Sequence, residues 1–280
     1  DIIIEVDDED VTSWPLNDIV ENIRGEAGTQ VELTVLRPEE SESLEITITR
    51  GEIDSPTATW AMLPGTEVAL VRLSQFSADA TDELRTAIRE AEAAGATALI
   101  MDVRNNPGGL LEQAIIVVSQ FVKDGNALQQ EDAAGKRQNY PVRRGGIATD
   151  IPMVVLINRG SASSSEIFAG AMQDHERATV VGETTFGTGT VLEPFPLSDG
   201  SALMLGTSQW LTADGRLIRK QGIEPDVTVE LPIITEYLYP SLIEELTVEE
   251  LLESEDAQVL KALELLDALP NDEIIPDTAD

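Results

Sequence analysis

Cysteine is absent from these 280 residues, lysine occurs only at positions 123, 136, 220 and 261, histidine occurs once at His175, and aromatic residues make up 4% of the chain. Without cysteine the chain can build neither a disulfide framework nor a thiolate metal site, and the redox compartment is left open. The scarcity of basic residues, 18 against 52 acidic ones, gives a formal net charge of −34. Such a field repels polyanions, which argues against nucleic acid and anionic membrane surfaces as partners. It suits a saline or extracellular habitat and equally a well-solvated surface. No apolar run reaches the length of a membrane span.

What is present is an ordinary globular composition, 42% hydrophobic, on a chain long enough for a full core and one large domain, with or without a small one. Residue 1 falls inside a strand pattern, Asp1 to Asp7, so an upstream segment is expected. A helix with Leu16, Ile19, Val20 and Ile23 on one face follows, with Ser13 as its expected cap and Pro15 in its first turn. Val31, Leu33 and Val35, then Leu44, Ile46 and Ile48, alternate with polar residues as two half-buried strands around an acidic turn from Pro38 to Ser43. Arg50 to Pro56 reads as a linker.

Beyond it the pattern changes. Helical spacing runs from Asp79 to Ala94 and stops at Gly95, and Ala98 to Val103 is a short apolar run suited to a strand buried on both faces. The turn Arg104-Asn105-Asn106-Pro107-Gly108-Gly109 leads into a helix marked by Leu111, Ile115, Val118 and Val122. Met153 to Ile157 is a second apolar run, followed by Gly160-Ser161-Ala162-Ser163-Ser164-Ser165-Glu166 and another helical pattern. Alternating strands and helices predict an α/β domain with a parallel sheet. Both loops then lie beyond the carboxyl ends of strands, where open α/β sheets bind ligands.

A serine at a helix start can serve as a simple N-cap. It is also well placed as a nucleophile, because unpaired N–H groups and the positive dipole end stabilise a developing oxyanion. Paired glycines allow a backbone N–H to approach a ligand atom closely, or merely punctuate a turn. The glycine turn lacks the lysine and spacing of a phosphate-binding P-loop. Ser201 to Trp210 and Val227 to Leu231 read as strands. Thr247 to Leu252 and Gln258 to Leu269 read as helices, ahead of a tail from Pro270 to Asp280.

Taken in order, the glycine loop, the serine turn, Gly182-Glu183-Thr184-Thr185-Phe186-Gly187, and Gly215-Arg216 through Gly222-Ile223-Glu224-Pro225-Asp226 resemble the C-terminal processing, or tail-specific, serine proteases. Residues 1–50 resemble the second half of the PDZ domain found with such proteases, without its first strands and the loop that receives a peptide carboxylate. The resemblance implies a partial PDZ-like module over 1–50, a crotonase/ClpP-like peptidase core over 51–232, and a C-terminal helical segment and acidic tail over 233–280. It implies no cofactor and no metal, unfolded or C-terminally disordered polypeptides as substrates, and work outside the cytoplasm through an export or anchoring segment upstream.

The same resemblance points to Ser163 as nucleophile and to the backbone N–H groups of Gly109 and Ser164 as oxyanion donors, with Gly108 beside them on the substrate. The family's general base is a lysine oriented by a glutamine, and those two positions carry Thr188 and Leu192 here. A threonine hydroxyl is no base near neutral pH. His175 lies twelve residues past Ser163, about 18 Å along one continuous helix. Lys220, Glu166 and Glu183 are the remaining candidates for the base. The expected activity is therefore serine endopeptidase with an atypical or missing base, or alternatively a catalytically silent peptide-binding or scaffold protein.

Overall fold

The computed structural model describes residues 1–37, 43–51, 56–232 and 234–270; the acidic turn, apart from Ser43, most of the linker and the tail from residue 271 lie outside them. The chain divides into two compact units, residues 1–55 and 56–280. In the first, β1 (Ile2–Val6), β2 (Glu9–Asp10), α1 (Leu16–Ile23), β3 (Gln30–Leu36) and β4 (Leu44–Thr49) follow in order, and the strands form an antiparallel sheet ordered β2-β1-β3-β4. The period-2 alternation seen in the sequence turns Val31, Leu33 and Val35 into a small core with Val6 and Val11. Ser13 does not cap α1: Pro15 itself occupies the N-cap position in an extended conformation, φ −60° and ψ 142°. The pyrrolidine ring fixes that φ, and its carbonyl takes the first bonds of the helix, from Asp18 and Ile19.

The second unit opens with β5 (Ala58–Met62), β6 (Val68–Leu73), α2 (Ala80–Ala93), β7 (Ala98–Asp102), α3 (Leu111–Phe121), β8 (Asn126–Asp132) and β9 (Arg137–Pro141). It continues through β10 (Met153–Ile157), α4 (Ser164–Asp174), β11 (Thr179–Gly182), β12 (Thr190–Pro196), β13 (Ala202–Leu211) and β14 (Val227–Thr228), and ends with α5 (Pro240–Ile243), α6 (Val248–Leu252) and α7 (Ala257–Leu265). One sheet has the order β14-β11-β10-β7-β6-β5 and is parallel except at its β5 edge. The other, β12-β13-β8-β9, is antiparallel.

The apolar runs of β6, β7 and β10 are continuous because both faces are covered. Leu99 and Met101 of β7, with Val155 and Ile157 of β10, face the core shared with α2, α3 and α4. Ile100, Val154 and Leu156 face a second core shared with α5, α6 and α7. Residues 234–270 therefore supply a covering layer of the parallel sheet. The strand expected at Val227 to Leu231 is shorter than its sequence suggests, because only Val227 and Thr228 pair with β11.

Where the second layer meets the strand ends lies a buried charge cluster. Arg104, 0% exposed, forks onto Asp102 through Nε and Nη2 at 3.0 and 2.9 Å, and its Nη1 donates to both oxygens of Asp256 at 2.8 and 2.9 Å. Burial by itself would lower the Arg104 pKa, but the two carboxylates more than offset it and hold it well above the ordinary guanidinium value. Asp256 also caps α7, accepting from the Val259 N–H at 3.3 Å. Removing one partner of such a pair leaves a charge uncompensated in the interior. Asp256→Asn is expected to lower stability by about 3–5 kcal/mol, read as a fall in the denaturant midpoint at constant slope; a loss below 1 kcal/mol contradicts the role given to this carboxylate.

Candidate active site

Four strand ends bring the predicted residues together. β7 runs into the Asn105–Gly109 loop, β10 into the Asn158–Ser163 turn, β11 into the Glu183–Gly189 loop, and the segment after β6 carries Phe76, which bridges to Gly109. Ser163 ends its turn at φ 55° and ψ −112°. An ordinary N-cap is extended; a side-chain-bearing residue held at positive φ costs of order 1–3 kcal/mol and persists only where its surroundings enforce it. It is a sharp strand-to-helix elbow that leaves the half-buried serine at the mouth of α4.

Glu166 supplies much of that enforcement. It is 0% exposed, and four donors converge on its carboxylate: the Ser163 N–H at 2.8 Å and Thr188 N–H at 3.0 Å on Oε2, the Gly187 N–H at 2.6 Å and Thr185 hydroxyl at 2.7 Å on Oε1. The sequence offered Glu166 as a proton acceptor through water. The structure gives it another task, because its lone pairs are occupied by groups that must stay where they are. It ties the elbow to the loop that holds Thr188.

The glycine pair abuts the elbow. A Cβ on Gly108, whose φ is +101°, would lie 2.8 Å from both the Ala162 carbonyl and the Ser163 Cβ and 2.9 Å from the Ser164 nitrogen. At Gly109, φ +148°, it would lie 2.3 Å from the Phe76 carbonyl oxygen. The Phe76 bridge uses the Gly108 carbonyl and the Leu110 N–H, which leaves the Gly109 N–H outside it. Ser164 is the first residue of α4, so its N–H has no intrahelical acceptor. The Ser164 hydroxyl donates to the Gly109 carbonyl at 3.1 Å and pins the two loops together. Gly108 N–H is committed to Asn106 Oδ1 at 2.8 Å.

The other sequence candidates scatter. Thr188 is half-buried beside the elbow through its shared hold on Glu166. Leu192 stands on β12, 56% exposed and opposite Gly206. His175 caps the far end of α4 and shares a 2.7 Å bond between its Nε2 and the Asn126 carbonyl, so it is not the base. Glu183 is ion-paired to Arg159 at 3.0 Å. Lys220 is exposed at φ 61°, and its backbone N–H donates to the Gly187 carbonyl at 2.8 Å, which sets its main chain against the Thr188 loop.

Sequence reading passed over Asn158 and Asn106. Asn158 Oδ1 accepts from the N–H groups of Asn105 and Gly160, both at 2.9 Å, and so joins the two loops. The Asn106 carbonyl accepts from the Ala162 N–H at 3.0 Å and the Ser165 hydroxyl at 2.9 Å. Asparagines at the ends of two buried strands were the available signal, since their side chains can satisfy turn backbone that no sheet reaches.

A mixed α/β domain with a strained serine elbow packed against a glycine pair is a hydrolase-type arrangement, and the comparisons narrow the class. The sequence model of Peptidase family S41 matches residues 67–229. The chain is 39% identical over 238 residues to the carboxyl-terminal-processing protease of Synechocystis sp., covering 84% of this chain and 56% of that one. It is 37% identical over 245 residues to the carboxy-terminal-processing protease of Bartonella bacilliformis, covering 85% and 55%. Among solved structures, the photosystem II D1 C-terminal processing protease superposes with a TM-score of 0.61 at 32% identity, over 82% of this chain and 64% of that chain. The chain belongs to Peptidase family S41 and has its mixed α/β fold. It spans little more than half the length of these curated relatives.

Two substitutions separate conformational strain from crowding. Gly95→Ala, at φ +103° with nothing within 4 Å of the added carbon, is expected to cost about 1–2 kcal/mol. Gly108→Ala should cost distinctly more, because main chain of the elbow must shift; equal thermal midpoints for the two variants contradict the packing described. Glu166→Gln points amide hydrogens at donors and should cost at least about 1–3 kcal/mol, seen in denaturant unfolding; an unchanged midpoint contradicts the four-donor arrangement.

Proposed function

We propose that this chain carries the catalytic part of a serine endopeptidase that cleaves proteins near unstructured C-terminal segments, with Ser163 as nucleophile. The observation that carries this reading is the strained Ser163 elbow set against Gly108 and Gly109. The Ser163 hydroxyl attacks a peptide carbonyl, and the oxyanion so formed is held by the N–H groups of Gly109 and Ser164. Collapse expels the amine, which takes up the serine proton, and leaves an acyl-enzyme; water then adds to the acyl carbon, its proton passes to the departing Ser163 oxygen, and the new carboxyl terminus is released with the serine hydroxyl restored. Donors fixed in advance need no reorganisation as charge develops, and one such donor is worth about 10²–10³ in rate.

The base departs from the family pattern. Thr188 cannot accept the serine proton near neutral pH, Leu192 has no polar group with which to orient a base, and Glu166 is occupied. These three facts favour the second reading, a catalytically silent peptide-binding or scaffold protein that keeps the cleft. The motif order and family resemblance support a crotonase/ClpP-like core over 51–232 with the segment 233–280 following it, and a partial PDZ-like module over 1–50. Polypeptide substrates, the absence of a cofactor and action outside the cytoplasm rest on the family resemblance.

The test uses an unfolded polypeptide and a fluorophosphonate, which phosphonylates an activated serine. In the first reading the parent cleaves and is labelled, and Ser163→Ala abolishes both. Introducing the family's pair, Thr188→Lys with Leu192→Gln, should then raise kcat/KM about 10²–10⁴-fold. A parent that is inert while the double variant cleaves supports the silent reading; cleavage retained by Ser163→Ala removes Ser163 from the mechanism.

A further inference from the structure

We infer that Tyr237 and Tyr239, in the stretch between β14 and α5, are positioning residues whose hydroxyls hold the glycine loop and the serine turn in register. The inference rests on the peptidase reading for its catalytic meaning, but its geometry lies in residues that the proposed chemistry does not use. The two rings stack, with centroids 5.8 Å apart and planes 17° apart. A guanidinium lies against each: the carbon of Arg104 is 4.6 Å from the centroid of Tyr237, and that of Arg72 is 3.7 Å from the centroid of Tyr239. Cations over aromatic faces fix the rings from outside. Between the tyrosines, the Leu238 N–H donates to Asp256 Oδ2 at 3.0 Å, so the segment is fastened to the carboxylate that Arg104 binds.

The hydroxyls point the fastening toward the site. Tyr237 accepts from Asn158 Nδ2 at 3.1 Å, and Tyr239 accepts from Asn105 Nδ2 at 3.2 Å. These two asparagines already bond each other, Asn158 Nδ2 to Asn105 Oδ1 at 2.9 Å. Asn105 sits at φ 55° and directly precedes Asn106, which holds the Gly108 N–H and the Ala162 N–H. Asn158 holds the Gly160 N–H three residues before Ser163. Each tyrosine thus grips one of the two loops, and the stack makes the two grips a single rigid body. A misplacement of about 1 Å between nucleophile and oxyanion donor costs on the order of 10²-fold in rate, so a part that fixes this spacing acts on turnover more than on substrate affinity.

Tyr237→Phe, Tyr239→Phe and the double variant, made in the full chain, keep the stack and remove only the hydroxyls. Amide hydrogen exchange is expected to quicken at least tenfold in residues 104–109 and 158–164 of the double variant while β6, β7 and the thermal midpoint stay unchanged. Cleavage, measured in the parent and in the Thr188→Lys, Leu192→Gln background, should lose tenfold or more in kcat with KM within about twofold, the pattern of an interaction needed in the transition state. Unchanged exchange in either loop, or unchanged kcat in an active background, overturns the inference. If neither background cleaves or is labelled at Ser163, the peptidase reading fails by itself and the exchange data alone decide whether the tyrosines fix the loops. Should the double variant unfold, the single variants must each quicken exchange in their own loop, Tyr239→Phe at 104–109 and Tyr237→Phe at 158–164; any other distribution also overturns it.

Discussion

Glu166 sits in the first turn of α4 with no exposure to water, and the arrangement around Ser163 follows from how its charge is satisfied. A carboxylate moved from water into a protein interior incurs a penalty of several kcal/mol unless donors replace its hydration. Here three backbone N–H groups and one hydroxyl do so, and the positive end of α4 adds to them. Because three of the four donors belong to main chain, satisfying the charge fixes backbone. The elbow at Ser163 and the turn at Gly187 and Thr188 cannot separate without exposing it. Satisfying this one buried charge therefore keeps the elbow and the Gly187–Thr188 turn assembled.

The parallel sheet makes the same economy on a larger scale. Its central strands are buried on both faces, so every loop at their carboxyl ends rests on a floor that cannot tilt. Arg104 sits where that floor meets the covering helices. It forms its ion pairs with Asp102 at the end of its own strand and with Asp256 at the start of α7, so one side chain joins the site loops to the second layer. Arginine is suited to this because its planar fork engages two carboxylates at once while its face remains free for a ring.

Much of this is legible in the sequence, and the remainder is illegible for identifiable reasons. Val68 to Leu73, Ala98 to Asp102 and Met153 to Ile157 read as strands because burial on both faces writes a continuous apolar run. The serine turn reads as a strand-to-helix loop because small residues, a preceding strand and a following helix coincide, and it is the family resemblance that singles out Ser163 among its serines. β8 and β9 carry little apolar pattern, since most of residues 126–141 are polar, and they gain their strand form from pairing, β8 with β13 and β9 with β8. Glu166 was open to misreading because a sequence displays a carboxylate without the donors that occupy it. Tyr237, Tyr239 and Asp256 gave no signal at all, because their meaning depends on residues 79, 134 and 152 positions earlier, and pattern within a window does not carry that distance.

That distance has a consequence for the order in which the protein comes into being. Arg104 and Asp256 are 152 positions apart, and ribosomes add about 5–20 residues each second. For roughly 8 to 30 seconds of synthesis, the glycine loop exists on the nascent chain without the carboxylate that fastens its Arg104. The glycine loop is thus made early, and the layer that fastens it is completed late.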